Sequence, residues 1–89
     1  MSQKIVFMGT PEFSVPTLES LVNSNHEVLA IYSQPASKAN RGQKIIPSSV
    51  EIFAKEHSLN LRTPASLDND EEYNFLKKLE PDIAVVIAY

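Results

Sequence analysis

Apolar residues in this 89-residue chain fall in short runs that alternate with stretches of helical spacing. Ile5–Met8, closed by Gly9, follows Lys4 as a nearly continuous apolar run (KIVFM), the pattern of a strand buried on both faces. Leu18, Leu21 and Val22 then recur at helical spacing. Pro16 is tolerable only in a first turn, so this helix should start near Ser14 or Val15 and end at Asn23–Asn25. Glu27–Ser33 (EVLAIYS) reads as the second strand. After a long interval, Val50, Phe53, Ala54 and His57 share one face of a second helix, and Ser48 with Glu51 has the spacing of a capping box at its start. Asn60–Thr63 is a short third strand stopped by Pro64. Asp68 with Glu71 offers a second capping box, opening a helix with Glu72, Phe75, Leu76 and Leu79 near one face. Pro81 stops that helix, and Asp82–Tyr89 (DIAVVIAY) is the strongest strand pattern in the chain.

The order β-α-β-α-β-α-β implies an α/β fold: a parallel sheet with right-handed crossovers and helices on both faces. The expected architecture is a Rossmann-like, doubly wound parallel sheet with strand order 3-2-1-4. It should be incomplete. The fourth strand would be an edge, yet IAVVIA is apolar on both faces, and native edges are usually shielded. The expectation is therefore that residues 1–89 are the N-terminal part of a larger domain. The alternative is a small domain that dimerises through its fourth strand.

Composition narrows the function classes. The chain is 43% hydrophobic and 21% charged, as a globular protein is, with a net charge of −3. Three of its eight Lys and Arg residues lie within 34–47, and the rest of the chain carries a net −6. An acidic body with one basic segment suits a local anionic contact better than a general nucleic-acid coat. With no cysteine, disulfides, thiolate metal sites and thiol nucleophiles are excluded, in keeping with a cytoplasmic location. No segment approaches the roughly 18 apolar residues of a membrane span, and the N-terminus lacks a signal-peptide pattern.

Two segments carry candidate chemistry. The turn after the first strand, Gly9-Thr10-Pro11-Glu12-Phe13, places a glycine where backbone can approach a ligand, ahead of a helix N-terminus. It is not a dinucleotide fingerprint, because GTPEFS lacks the second and third glycines and no acidic residue ends the second strand. The second segment runs from about Gln34 to Pro47, whereas strand-to-helix connections usually take about two to six residues. It holds Lys38, Arg41 and Lys44 with no acidic residue, and Gly42 permits a bend that presents Arg41 to a phosphate. His26, in the helix–strand turn, and His57, in the last turn of the second helix, suit structural or surface roles. Asp68, Asp70, Glu71 and Glu72 read as a solvated helix start rather than a metal cage. Nothing assembles a nucleophile, a base and an oxyanion donor.

IVFMGTPEFSVPTLESL at 5–21, HEV at 26–28, SQP at 33–35, RGQKIIPSSV at 41–50 and PDIAVVIAY at 81–89 together resemble the N-terminal portion of the methionyl-tRNA formyltransferase family. The resemblance covers essentially the whole chain, and GTPEF and the Arg-Gly-x-Lys segment are its specific parts. It implies the N-terminal part of a folate-dependent formyltransferase domain, with the catalytic half and a C-terminal β-barrel domain absent here. The reaction implied moves a formyl group from 10-formyltetrahydrofolate to the amino group of methionine on initiator tRNA. The family's oxyanion-stabilising Asn and His and its proton-managing Asp lie beyond the fourth strand, so no catalytic residue is expected in this chain. Two regions carry over: a tRNA contact centred on Arg41, with Gly42, Lys38 and Lys44, and a cleft-bordering loop with Gly9, Thr10, Pro11 and Phe13. Tyr89 would adjoin the folate-binding segment. Full-length members are expected to be monomeric. Departures are modest: Ala36 stands where the family often has Asp, and SKANRGQK is poorer in glycine and proline than many relatives. The alternatives are a non-catalytic tRNA-binding module, or another folate-dependent formyltransferase acting on a nucleotide sugar or glycinamide ribonucleotide.

Overall fold

The structure, a computed structural model, describes residues 2–38 and 45–89. Four parallel strands form the central sheet: β1 (Lys4–Gly9), β2 (Glu27–Tyr32), β5 (Leu61–Arg62) and β6 (Ile83–Ile87), in the order β5-β2-β1-β6. In chain order this is the expected 3-2-1-4. Helices α1 (Val15–Val22) and α2 (Ser49–Glu56) cover one face and α3 (Asp70–Leu79) the other. Alternation along the strands supplies both cores. Phe7 and Ile31 point toward α1 and α2, where they meet Leu18, Val50, Phe53 and Ala54. Val6, Ala30 and Tyr32 point the other way, toward Phe75, Leu76 and Leu79 of α3. A sheet buried on both faces is why β1 and β2 read as near-continuous apolar runs.

Local signals explain the element ends. Residues Glu12–Ser14 form a single 3-10 turn, and α1 starts directly after it with Pro16 in its first turn. Ser48 caps α2 by accepting from the Glu51 N–H at 3.0 Å, but the Glu51 carboxylate pairs with Lys55 at 2.9 Å, so this cap is the Ser48 half of the expected box. At α3 the expected cap is displaced by one residue. Asn69, not Asp68, is the N-cap, accepting from the Glu72 N–H at 2.8 Å. The Asp68 N–H is already bound to Ser66 Oγ at 3.0 Å, so Asp68 belongs to the preceding turn. The β1–β2 register slips between Ile5 and Val6, skipping Leu29, and Asn60 Nδ2 donates to the Leu29 carbonyl at 3.1 Å.

Two features depart from a closed, uniform sheet. The segment expected to be a loop at 34–47 contains an antiparallel strand pair, β3 (Ser37–Lys38) with β4 (Ile45–Ile46). β6 is an edge, as expected, and its α3-side face is bare: Ala84 is exposed and Val86 is 60% exposed. α3 packs over β1 and β2 and leaves that flank uncovered. Among the described residues no helix is long and apolar enough to cross a membrane.

Candidate functional site

Strand order reverses at β1: β2 and β5 lie on one side and β6 on the other. In open parallel sheets the crevice at the carboxyl ends of the two strands flanking such a reversal is where ligands bind. Here those ends are Gly9–Thr10 and the residues after Ile87. Gly9 is needed for close packing: a Cβ there would lie 2.8 Å from Phe7 Cε2 and 3.0 Å from Ser14 Oγ. Ser14, buried, folds its hydroxyl back on the Pro11 carbonyl at 2.6 Å and its N–H on the same oxygen at 3.0 Å, which holds the turn tight. Phe13 is thereby turned outward and is 68% exposed, lining with Pro11, Glu12 and Pro16 an open hollow of about 560 Å³. A larger hollow of about 640 Å³ lies at the other end of the sheet, lined by Ser2 and Asn23–His26. His26 there accepts from the Gln3 N–H through Nδ1 at 2.9 Å, a structural bond far from the carboxyl ends of the strands.

The basic segment leaves the sheet beside this crevice. Its two ends are pinned together: Ser33, fully buried after β2, shares a 2.5 Å hydroxyl–hydroxyl hydrogen bond with Ser48 at the start of α2. Ser33 also donates its N–H to the Arg62 carbonyl at 3.1 Å. The described ends of the 34–47 segment, called the arm below, therefore form a closed base and a paired stem. Lys38 lies in β3; Arg41, Gly42 and Lys44 fall outside the described residues.

Under the sheet, on the α3 side, Glu72, expected in a solvated helix start, forms an ion pair with Arg62. Glu72 is buried; its Oε1 accepts from Tyr32 Oη at 3.0 Å and from Arg62 Nε at 2.7 Å, and its Oε2 from Arg62 Nη2 at 2.8 Å. The guanidinium also lies 3.9 Å from the centre of the Phe75 ring. The Arg62 hydrogen bonds hold the Glu72 carboxyl below the usual carboxylate range against the opposing pull of burial. Burial, then the hydrogen bond to Glu72, pushes the Tyr32 phenol above the usual tyrosine range, and burial, then the charge of the same carboxylate, raises Tyr89. Glu72 is thus no part of a solvated helix start. Its neighbour Glu71 is, with only a 3.4 Å contact to Arg62 and a largely exposed side chain. His57 stacks on Phe53 with ring centres 4.1 Å apart and caps α2, a structural role.

No protein-family model matches the chain. Individual relatives do. The chain is 54% identical over 86 residues to the methionyl-tRNA formyltransferase of Methylococcus capsulatus, covering 97% of this chain and 28% of the relative. It is 49% identical over 90 residues to that of Pelagibacter ubique (100% and 29%), and 50% identical over 88 to that of Ectopseudomonas mendocina (99% and 28%). The chain matches the N-terminal part of the methionyl-tRNA formyltransferase family. It spans under a third of the length of the curated relatives it matches.

Apart from the arm residues placed above, the expected site residues fall into two groups. Gly9, Thr10, Pro11 and Phe13 follow one another at the carboxyl end of β1, and Pro11 and Phe13 line the 560 Å³ hollow. Tyr89 is at the same end, but its ring packs against the α3-side core with Val6, Ala30 and Tyr32, and only its backbone carbonyl faces Thr10. Residues that sequence reasoning passed over are Gln34, which donates to that carbonyl, and the Ser33–Ser48 pair at the arm's base. Their signal was position: each follows or precedes an element at the carboxyl end of the sheet.

Proposed function

We propose that this chain is the N-terminal part of a formyltransferase domain whose whole enzyme moves a formyl group from 10-formyltetrahydrofolate to the amino group of methionyl initiator tRNA in the cytoplasm. The observation that carries the proposal is identity of 49–54% to the three enzymes above over 86–90 residues. In that reaction the amine attacks the formyl carbon, and the tetrahedral intermediate collapses to release tetrahydrofolate. Donors aimed at the developing oxyanion are usually the largest catalytic contribution, and the resemblance puts them beyond the position of Tyr89. The 89 residues by themselves are then catalytically silent. They supply one wall of the crevice, Gly9, Thr10, Pro11 and Phe13, and the arm that carries Lys38, Arg41, Gly42 and Lys44 to the phosphates of the tRNA. Tyr89 leads into the segment that holds the folate.

A chimera tests this reading. The matching 86 residues of the Methylococcus capsulatus relative are replaced by this chain, and formylation of methionyl initiator tRNA is measured. The chimera is expected to be active, and Arg41→Ala to raise KM for the tRNA and flatten its salt dependence. A folded chimera that does not formylate, beside an active parent, sinks the proposal.

A further inference from the structure

The carboxyl ends of three strands converge on one atom. The Tyr89 carbonyl accepts from Thr10 Oγ1 at 3.1 Å and from Gln34 Nε2 at 3.1 Å. Thr10 Oγ1 itself accepts from the Gln34 N–H at 3.2 Å, which closes a ring of three hydrogen bonds. Thr10 follows β1, Gln34 lies two residues past β2, and Tyr89 two past β6, so the ring ties together the neighbours β2-β1-β6 across the reversal in strand order. Thr10 is suited to the centre of it: one hydroxyl gives a hydrogen to Tyr89 and takes one from Gln34.

A second observation lies one residue away. Ala88 has φ 48°, in the left-handed region that side chains with a Cβ avoid. Such a conformation persists only where its surroundings over-determine it. The pairing of β6 with β1 holds the chain up to Ile87, and the two hydrogen bonds to the Tyr89 carbonyl hold it immediately after. Together they turn the backbone at Ala88.

We infer that Thr10 and Gln34 are positioning residues that set the direction in which the chain leaves β6 at the mouth of the crevice. This rests on the formyltransferase reading for the chain that continues past Tyr89 and for the effect on rate; the three hydrogen bonds themselves do not. Catalytic groups held from a backbone that leaves the sheet here would depend on that direction, since small displacements of reacting groups cost rate more than affinity.

The experiment uses the chimera with Thr10→Val, Thr10→Ser and Gln34→Ala, each checked for an unchanged thermal transition. Valine keeps the shape and removes the hydroxyl; serine keeps the hydroxyl. Thr10→Val should lower kcat about tenfold, the rate equivalent of roughly one hydrogen bond, with KM for either substrate little changed. Gln34→Ala should act in the same direction, Thr10→Ser should stay near the parent, and Gln34 N–H exchange should quicken in Thr10→Val. Parental kcat in Thr10→Val, an equal loss in Thr10→Ser, or a loss confined to KM overturns the positioning role. Unchanged Gln34 exchange overturns the ring. An inactive but folded parent chimera overturns the functional reading and the rate effect with it, while the exchange measurement still decides the ring.

Discussion

Replacing Glu72 by alanine removes three hydrogen bonds at once, and their costs differ by how far each donor can reach water. The Tyr32 hydroxyl is fully buried, so its orphaned O–H should cost about 1–3 kcal/mol. The Arg62 side chain is 25% exposed and can turn outward, toward solvent and Glu71, so losing its pair should cost only about 1 kcal/mol. Glu72→Ala is therefore expected to lower stability by about 3 kcal/mol, against a total of roughly 5–13 kcal/mol for a chain of this length. Urea denaturation followed by circular dichroism measures it. Adding Tyr32→Phe removes the orphaned hydroxyl and should recover about 1–2 kcal/mol in the Glu72→Ala background, although Tyr32→Phe alone destabilises. A loss below about 1 kcal/mol, or a double-mutant cycle with no coupling, refutes the reasoning. The pH dependence follows by sign. The Glu72 carboxyl is held below its ordinary range in the folded chain, chiefly by Arg62. Its contribution is complete above the unfolded value of about 4.3 and is lost as pH falls through the lower folded value. The Tyr32 phenol is raised, so its contribution is complete below about 10 and lost as pH rises. Glu72→Ala should flatten the acid limb of the stability profile and Tyr32→Phe the alkaline one.

Gly9→Ala should destabilise by about 1–3 kcal/mol, because the new Cβ meets the buried Phe7 ring, which cannot move aside; a melting temperature within a degree or so of the parent would refute this. Ser48→Ala removes the α2 cap and the partner of the buried Ser33 hydroxyl, with an expected loss of about 2 kcal/mol by chemical denaturation. The isolated chain should self-associate through the uncovered flank of β6, and Val86→Lys should reduce the apparent mass in sedimentation equilibrium. Equal association in the two proteins would place the contact elsewhere.

The turn after β1 was legible because glycine after an apolar run, followed by proline and a helix, constrains backbone locally. The arm was legible from its length and charge, but its paired stem was not, since Ser37–Lys38 and Ile45–Ile46 are too short to show a strand period. The cap at α3 was misplaced by one residue because Asp68-Asn69-Asp70 offers three side chains with similar capping ability. Which one caps is decided by the Ser66 bond that draws Asp68 into the preceding turn, and by Arg62 and Tyr32, which claim Glu72 and so set the rotation of the helix.

Alternation of apolar periods along the chain was enough to determine strand order, helix placement and the exposed fourth strand, because each rests on patterns within about ten residues and on the handedness of parallel crossovers. The Arg62–Glu72–Tyr32 cluster and the ring of Thr10, Gln34 and Tyr89 join residues up to 79 positions apart. Nothing local marks them. A threonine in a turn or a glutamate in a first helical turn looks the same whether it faces water or a partner, and only the packing of the sheet brings the partner within hydrogen-bonding distance.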